Sequence, residues 1–268
     1  MRHSVADPDD PRLEPYRAVR ERDLAGRHGL FVAEGEVVLR TLLTRSHFAV
    51  DSVLIGDAQA ARLAPLLDAH PDLPVYVAGR AVLDAVVGFP IHRGILAIGR
   101  RGEPEPAAAL LAGMPERALV LGLVGLANHD NVGGIFRNAA AFGVDAVLLD
   151  SSSCDPLYRK AIRVSVGSAL TVPFARAGSA TELVDTLMQA GFAVFALSPG
   201  GQGILSEICW PARSALLLGT EGEGLPAEIL ARVRGVSIPM AAGFDSLNVA
   251  TTSGIALYEA RRGASGAS

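Results

Sequence analysis

Residues 118–149, ALVLGLVGLANHDNVGGIFRNAAAFGVDAVLL, decide the fold. The run 118–126 is continuously apolar, as a strand buried on both faces must be. Behind it Val132, Ile135, Ala139 and Phe142 recur at helical spacing, which predicts a helix over 132–142. Residues 146–149 read as the next strand. The rhythm continues with a helix at 181–190, strands at 193–197 and 215–218, a helix at 226–233 with Pro226 in its first turn, and a final helix at 246–261. This order predicts a parallel sheet covered by helices.

Upstream the same alternation is weaker. Helices are expected at 12–25, 36–43, 58–69 and 80–87, and strands at 30–33, 50–55, 75–77 and 94–98, which makes a small α/β domain. The stretch 101–116 carries Pro104, Pro106, Gly113 and Pro115 and reads as an exposed linker. The expected organisation is therefore a domain over 1–100, a linker over 101–116 and a second domain over 117–268. The small polar tail 263–268 is expected to fray.

Composition narrows the function. Half of the 268 residues are hydrophobic and 19% are charged, which supports a large core and excludes a disordered chain. No apolar run reaches the roughly 18 residues of a membrane-spanning helix, and residues 1–11 lack the apolar block of a signal peptide. Cys154 and Cys209 are too few for a disulfide framework. They read as small buried hydrophobes in a reducing compartment, hence a cytoplasmic protein without a membrane partner. The net charge of −4 argues against indiscriminate coating of nucleic acid but leaves room for a local basic patch. No phosphate-binding loop, dinucleotide fingerprint or nucleophile elbow is present. The six histidines have no metal-ligand spacing, so no metal is expected.

Three segments join the end of a strand to the start of a helix, where open parallel sheets bind ligands. In NHDNVGGIFRN, 128–138, Asn131 is placed to cap the helix and Gly133 and Gly134 let another group approach the backbone. Arg137 falls opposite the apolar face, where a solvated arginine needs no further role. In LLLGTEGEGLP, 216–226, the glycines around Glu221 fit an ordinary capping turn or a loop that offers its backbone to a ligand. In VSIPMAAGFDSLNVA, 236–250, Ser246 and Asn248 stand at a helix N-terminus, as caps or as ligands to a polar group. Ala250 and Gly254, four apart, permit close packing of that helix.

Taken together, NVGGIFRNAAAFG (131–143), LLLGTEGEGLP (216–226) and IPMAAGFDSLNVA (238–250) resemble the three ordered motifs of the SpoU/TrmH-type RNA methyltransferases of the SPOUT superfamily. FVAEGE (31–36) and GILA (94–97) resemble the beginning and end of the small substrate-binding domain that often precedes that fold. The resemblance implies a C-terminal parallel sheet whose chain is threaded into a deep trefoil knot, with S-adenosylmethionine held in it. By position Gly219, Thr220, Ile238, Met240 and Leu247 would bind the cofactor. The implied reaction is methyl transfer to a ribose 2′-hydroxyl of tRNA or rRNA by a homodimer. Asn131 and Arg137 match the first motif, Glu221 the second, and Ser246 and Asn248 the third.

Arg137 looks like the family's catalytic arginine. Its guanidinium keeps its proton, so its implied work is to grip a phosphate and stabilise the developing alkoxide. The other four would orient it, the ribose and the loops. Asn128-His129-Asp130 stands where many members carry an aspartate-proline pair, a change that tunes the loop.

Structured RNA needs local cations. Arg159, Lys160 and Arg163 form one candidate patch, and Arg12, Arg17, Arg20, Arg22 and Arg27 another, although a solvated, salt-bridged helix face would look the same. Two other readings use the same scaffold: a non-catalytic RNA-binding protein, and a methyltransferase that modifies a base.

Overall fold

The computed structural model describes residues 2–17, 29–88, 91, 93–220, 222–244 and 246–265. It divides into two compact units, Met1–Glu103 with Leu157–Thr171, and Pro104–Pro156 with Val172–Ser268.

The first unit holds a sheet of β1 (Arg2–Val5), β2 (Leu30–Glu34), β3 (Ala49–Gly56), β4 (Val75–Ala78) and β5 (Ile95–Arg100), in the order β1-β4-β3-β5-β2. β1, β4 and β3 are parallel, and β5 runs antiparallel to β3 and β2. The helices are α1 (Glu14–Arg17), α2 (Glu36–Thr44), α3 (Asp57–Arg62), α4 (Ala64–Asp68) and α5 (Arg80–Val87). The single helix expected over 58–69 is broken at Leu63. Pro65 has no N–H for the Ala61 carbonyl, so the first helix cannot continue through it. Of the helix expected over 12–25, residues 14–17 are helical and 18–25 lie outside the described residues.

The second unit begins inside the stretch read as a linker. α6 (Ala107–Ala112) buries Ala107, Leu110 and Leu111 in this unit's core, so residues 107–112 are structural. β6 (Ala118–Leu123), α7 (His129–Ala141) and β7 (Ala146–Leu149) follow as expected, except that α7 starts a turn early. The chain then leaves this unit. Residues 157–171, carrying α8 (Arg159–Val164), pack with the first unit, where α8 lies against β2.

The chain returns as β8 (Phe174–Arg176), α9 (Ala180–Gln189), β9 (Ala193–Leu197), β10 (Gly203–Ile204), β11 (Arg213–Leu218), α10 (Ala227–Leu230), β12 (Arg234–Ser237) and α11 (Val249–Ser265). Among the described residues the sheet order is β10-β12-β9-β11-β6-β7-β8, with every pair parallel. α9 is held by a capping box in which Ser179 and Glu182 satisfy each other's amides. One face of the sheet, with Val120, Leu148, Ala196 and Leu217, packs on Leu110 and Leu111 of α6 and Leu183 and Leu187 of α9.

α7 and α11 pack on each other through a stripe of small and polar residues. Asn138 Nδ2 donates to the Ala250 carbonyl at 2.7 Å and to Ser253 Oγ at 2.9 Å. A Cβ on Gly134 would lie 2.7 Å from the Ala250 Cβ, and one on Gly254 would lie 3.3 Å from Asn138 Nδ2. The four-residue spacing of Ala250 and Gly254 is thus used for close packing. Gly134→Val is expected to cost about 1–3 kcal/mol by overpacking this crossing. The reading is a lower urea midpoint at an unchanged m-value. An unchanged midpoint would mean that the helices part freely. No described helix is long and apolar enough to cross a membrane.

Candidate active site

The carboxyl ends of β9, β11 and β12 open on one cavity of about 310 Å³, where a parallel sheet presents its ligand crevice. Leu218, Gly219 and Thr220 line it from the end of β11, Ile238 and Met240 from beyond β12, and Ser246 and Leu247 from the approach to α11. The five residues expected to bind a cofactor therefore share one cavity with Ser246.

The β11 loop is folded tightly on itself. A Cβ on Gly219 would lie 2.5 Å from the Gly224 carbonyl carbon and 2.6 Å from the Leu225 nitrogen. Only glycine fits there without moving backbone. Thr220 Oγ1 accepts from the Gly224 amide at 3.1 Å, which closes the turn. Glu221 lies outside the described residues. Leu197, Leu225 and Leu230 extend the apolar wall, and Ser198 and Glu223 add polar groups. Apolar walls with a few polar groups are what small-molecule and cofactor sites present.

Next to this cavity the starts of α7 and α11 are tied together. Asn248 Nδ2 donates to Asn131 Oδ1 at 2.9 Å. Asn248 Oδ1 accepts from the amides of Ala250 and Thr251 at 3.0 and 3.2 Å, so Asn248 caps α11. Asn131 does not cap α7, as its position in the sequence suggests. Asn128 does, accepting from the Asp130 amide at 2.9 Å. Asn131 is instead buried in the first turn, with its amide oxygen committed to Asn248.

Arg137 stands six residues further along α7, about 9 Å of helix rise from Asn131. Its side chain is exposed, and no hydrogen bond or ion pair joins it to a described residue. The basic cluster after β7 belongs to the other unit. Arg159 Nη1 donates to Glu34 Oε2 at 3.1 Å, and Arg163 Nη1 lies 3.7 Å from the same oxygen, while Lys160 is exposed. In the N-terminal cluster Arg12 pairs with Asp10, and Arg17 donates to the carbonyls of Pro8 and Asp10. Arg20, Arg22 and Arg27 lie outside the described residues.

Sequence reading did not pick out Asp150. It is buried at the end of β7 and accepts from the Gly125 amide at 3.1 Å, the Ser153 amide at 2.8 Å and Ser153 Oγ at 2.6 Å. Leu126 N donates to Ser153 Oγ at 3.1 Å. This network holds the loop that leads into α7. Its signal in the sequence was an acid and three serines directly after an apolar strand. Neither cysteine is a fully buried hydrophobe. Cys209 is exposed in the connection to β11, and Cys154 is partly buried, its thiol pushed up to about 11 by burial. Burial thus favours the Cys154 thiol over the nucleophilic thiolate.

Residues 118–258 match the model of the SpoU rRNA Methylase family. An uncharacterized tRNA/rRNA methyltransferase of Mycobacterium bovis is 43% identical over 268 residues, covering 96% of this chain and 91% of its own. A 23S rRNA (guanosine-2′-O-)-methyltransferase RlmB of Salmonella typhi is 30% identical, covering 79% of this chain and 89% of its own. Among solved structures, an RNA 2′-O ribose methyltransferase superposes with a TM-score of 0.78 at 26% identity, over 98% of this chain and 99% of that one. An AdoMet-bound rRNA methyltransferase from Sinorhizobium meliloti has the same fold, with a TM-score of 0.81 at 24% identity over 97% of this chain and 98% of that one. The α/β fold with its parallel sheet is therefore a methyltransferase fold. This chain belongs to the SpoU rRNA methylase family.

Proposed function

We propose that this protein transfers a methyl group from S-adenosylmethionine to a ribose 2′-hydroxyl of tRNA or rRNA. The observation that carries the reading is the cavity at the ends of β9, β11 and β12, with the Asn131–Asn248 pair beside it. The cavity residues fit the cofactor: the tight Gly219–Gly224 turn offers backbone, Ser198 and Glu223 offer polar groups, and Ile238, Met240 and Leu247 offer an apolar wall. The 2′-O specificity rests on the RlmB of Salmonella typhi and the RNA 2′-O ribose methyltransferase structure.

When bound, S-adenosylmethionine supplies an electrophilic methyl on a sulfonium, so the chain's residues need only align and stabilise charge. Arg137 grips the phosphate beside the target ribose and stabilises the alkoxide that forms there, keeping its own proton. Asn248 holds Asn131 and the start of α11, and Ser246 and Glu221 orient the ribose and the loops. Arg159, Lys160 and Arg163 face the RNA, and the first unit serves as its substrate-binding domain.

The C-terminal chain would be knotted. After β12 the chain comes back to the start of α7, where Asn248 meets Asn131, and that return supports a trefoil threading. The working form is a homodimer in the cytoplasm.

The test is transfer of labelled methyl from S-adenosylmethionine to unmodified tRNA and rRNA, followed by nucleoside analysis. A 2′-O-methylated nucleoside is expected. A methylated base would move the chemistry to the nucleobase. Absence of both incorporation and cofactor binding would favour a non-catalytic RNA-binding protein.

A further inference from the structure

Three consecutive residues at the β2–α2 junction gather arginines from four separate parts of the first unit. Glu34 takes Arg159 at 3.1 Å and Arg163 at 3.7 Å, both from α8. A Cβ on Gly35 would lie 3.0 Å from Cδ and Nη1 of Arg93, so that side chain lies across the Gly35 backbone. Glu36 Oε1 accepts from Nε and Nη2 of Arg40 at 3.1 and 3.0 Å, and its other oxygen pairs with Arg62 of α3. Four guanidinium groups thus pair with two carboxylates, and that of Arg93 lies beside them. The local balance is +3 in a chain whose net charge is −4.

The layering has a direction. The carboxylate side chains are 9% and 25% exposed, whereas Arg40, Arg62 and Arg163 are 50%, 60% and 40% exposed. Arg93 is exposed as well. The acids lie beneath and the guanidinium groups above. Each guanidinium has five N–H donors, and pairing with a carboxylate uses only one or two of them. The remaining donors of Arg40, Arg62 and Arg163 belong to exposed side chains already drawn to a carboxylate, which lowers the ordering cost of binding. The Arg40 hydrogen bonds, and then the Arg62 charge, hold the Glu36 carboxyl below its ordinary range. Exposed pairs of this kind contribute only about 0–1 kcal/mol each to stability. Within this group the five cations outnumber the two anions.

We propose that Arg40, Arg62, Arg93 and Arg163, set around Glu34 and Glu36, form a surface that binds successive backbone phosphates of a structured RNA. The guanidinium fork matches phosphate in two-point contacts, and donors drawn from four chain segments suit a ligand with repeated charges rather than a single anion. The proposal rests on the RNA-directed function above and names where the RNA backbone lies.

The test compares two triple variants with the same change in charge. R40Q/R62Q/R93Q removes rim cations, and R2Q/R80Q/R100Q removes exposed cations elsewhere in the same unit. Filter binding of unmodified 23S rRNA transcript and unmodified tRNA is measured across salt concentrations. The rim variant is expected to bind at least about tenfold more weakly, with the slope of log K against log salt reduced by about 2. The control should change far less, and both should bind S-adenosylmethionine and melt as the parent does. Equal losses in both triples, or an unchanged slope in the rim variant, would overturn the surface. So would a parent protein that binds neither RNA. Rim-dependent binding without methyl transfer would keep the surface and sink the catalytic reading. Methyl transfer with rim-independent binding would do the reverse.

Discussion

Arg137→Ala is expected to reduce methyl transfer by at least about a hundredfold to a thousandfold while cofactor affinity stays within about twofold. Arg137 is exposed, makes no hydrogen bond or ion pair with a described residue, and does not line the cavity. Its removal should therefore cost little stability, and the loss should fall on kcat. Arg137→Lys separates charge from shape. A lysine keeps the charge but not the planar fork, so it should recover only part of the rate. Single-turnover kinetics with calorimetry of S-adenosylmethionine would read both effects. Parallel loss of rate, cofactor affinity and melting temperature would make Arg137 a structural residue.

Gly219→Ala is expected to weaken S-adenosylmethionine about tenfold to a hundredfold, the equivalent of about 1–3 kcal/mol of overpacking at a site with no slack. The added methyl would meet the backbone of Gly224 and Leu225 at 2.5–2.7 Å. Backbone cannot step aside as a side-chain tip can, so the loop itself must open. Thr220, Glu223 and Leu225 would then be displaced from the cavity wall. Calorimetric titration is the measurement, with thermal melting as control. Parental affinity in a variant of parental stability would remove this cavity as the cofactor site.

The interior of the second sheet was legible because its strands are buried on both faces and read as apolar runs. β6, β7, β9 and β11 fall where those runs lie. Three of the four edge strands were not legible, whereas β2 was, because all five of its residues are buried. β1, β8 and β10 carry few apolar residues and owe their extension to one neighbour, which local sequence does not reveal. α6 was hidden by the prolines and glycine around it, although Leu110 and Leu111 carry the core contacts.

In the candidate site the loops could be read because they are rich in glycine, serine and asparagine at strand ends. What each asparagine does could not. Asn128 and Asn131 can both cap a helix, and the choice is made by Asn248, 117 residues away from Asn131. The acid that holds Arg159 is hidden for the same reason, since Glu34 lies 125 residues earlier in the chain.

The excursion of residues 157–171 has a consequence for how this protein comes into being. During synthesis the first unit emerges almost whole, but it cannot finish. The strip that covers β2, with the cations that neutralise buried Glu34, is made only after more than fifty further residues have been added. Those residues belong to the other unit, which in turn awaits everything after residue 171. Domains in general mature one after another as the ribosome releases them. Here the order is interleaved, and no single cut of the gene would yield either half intact.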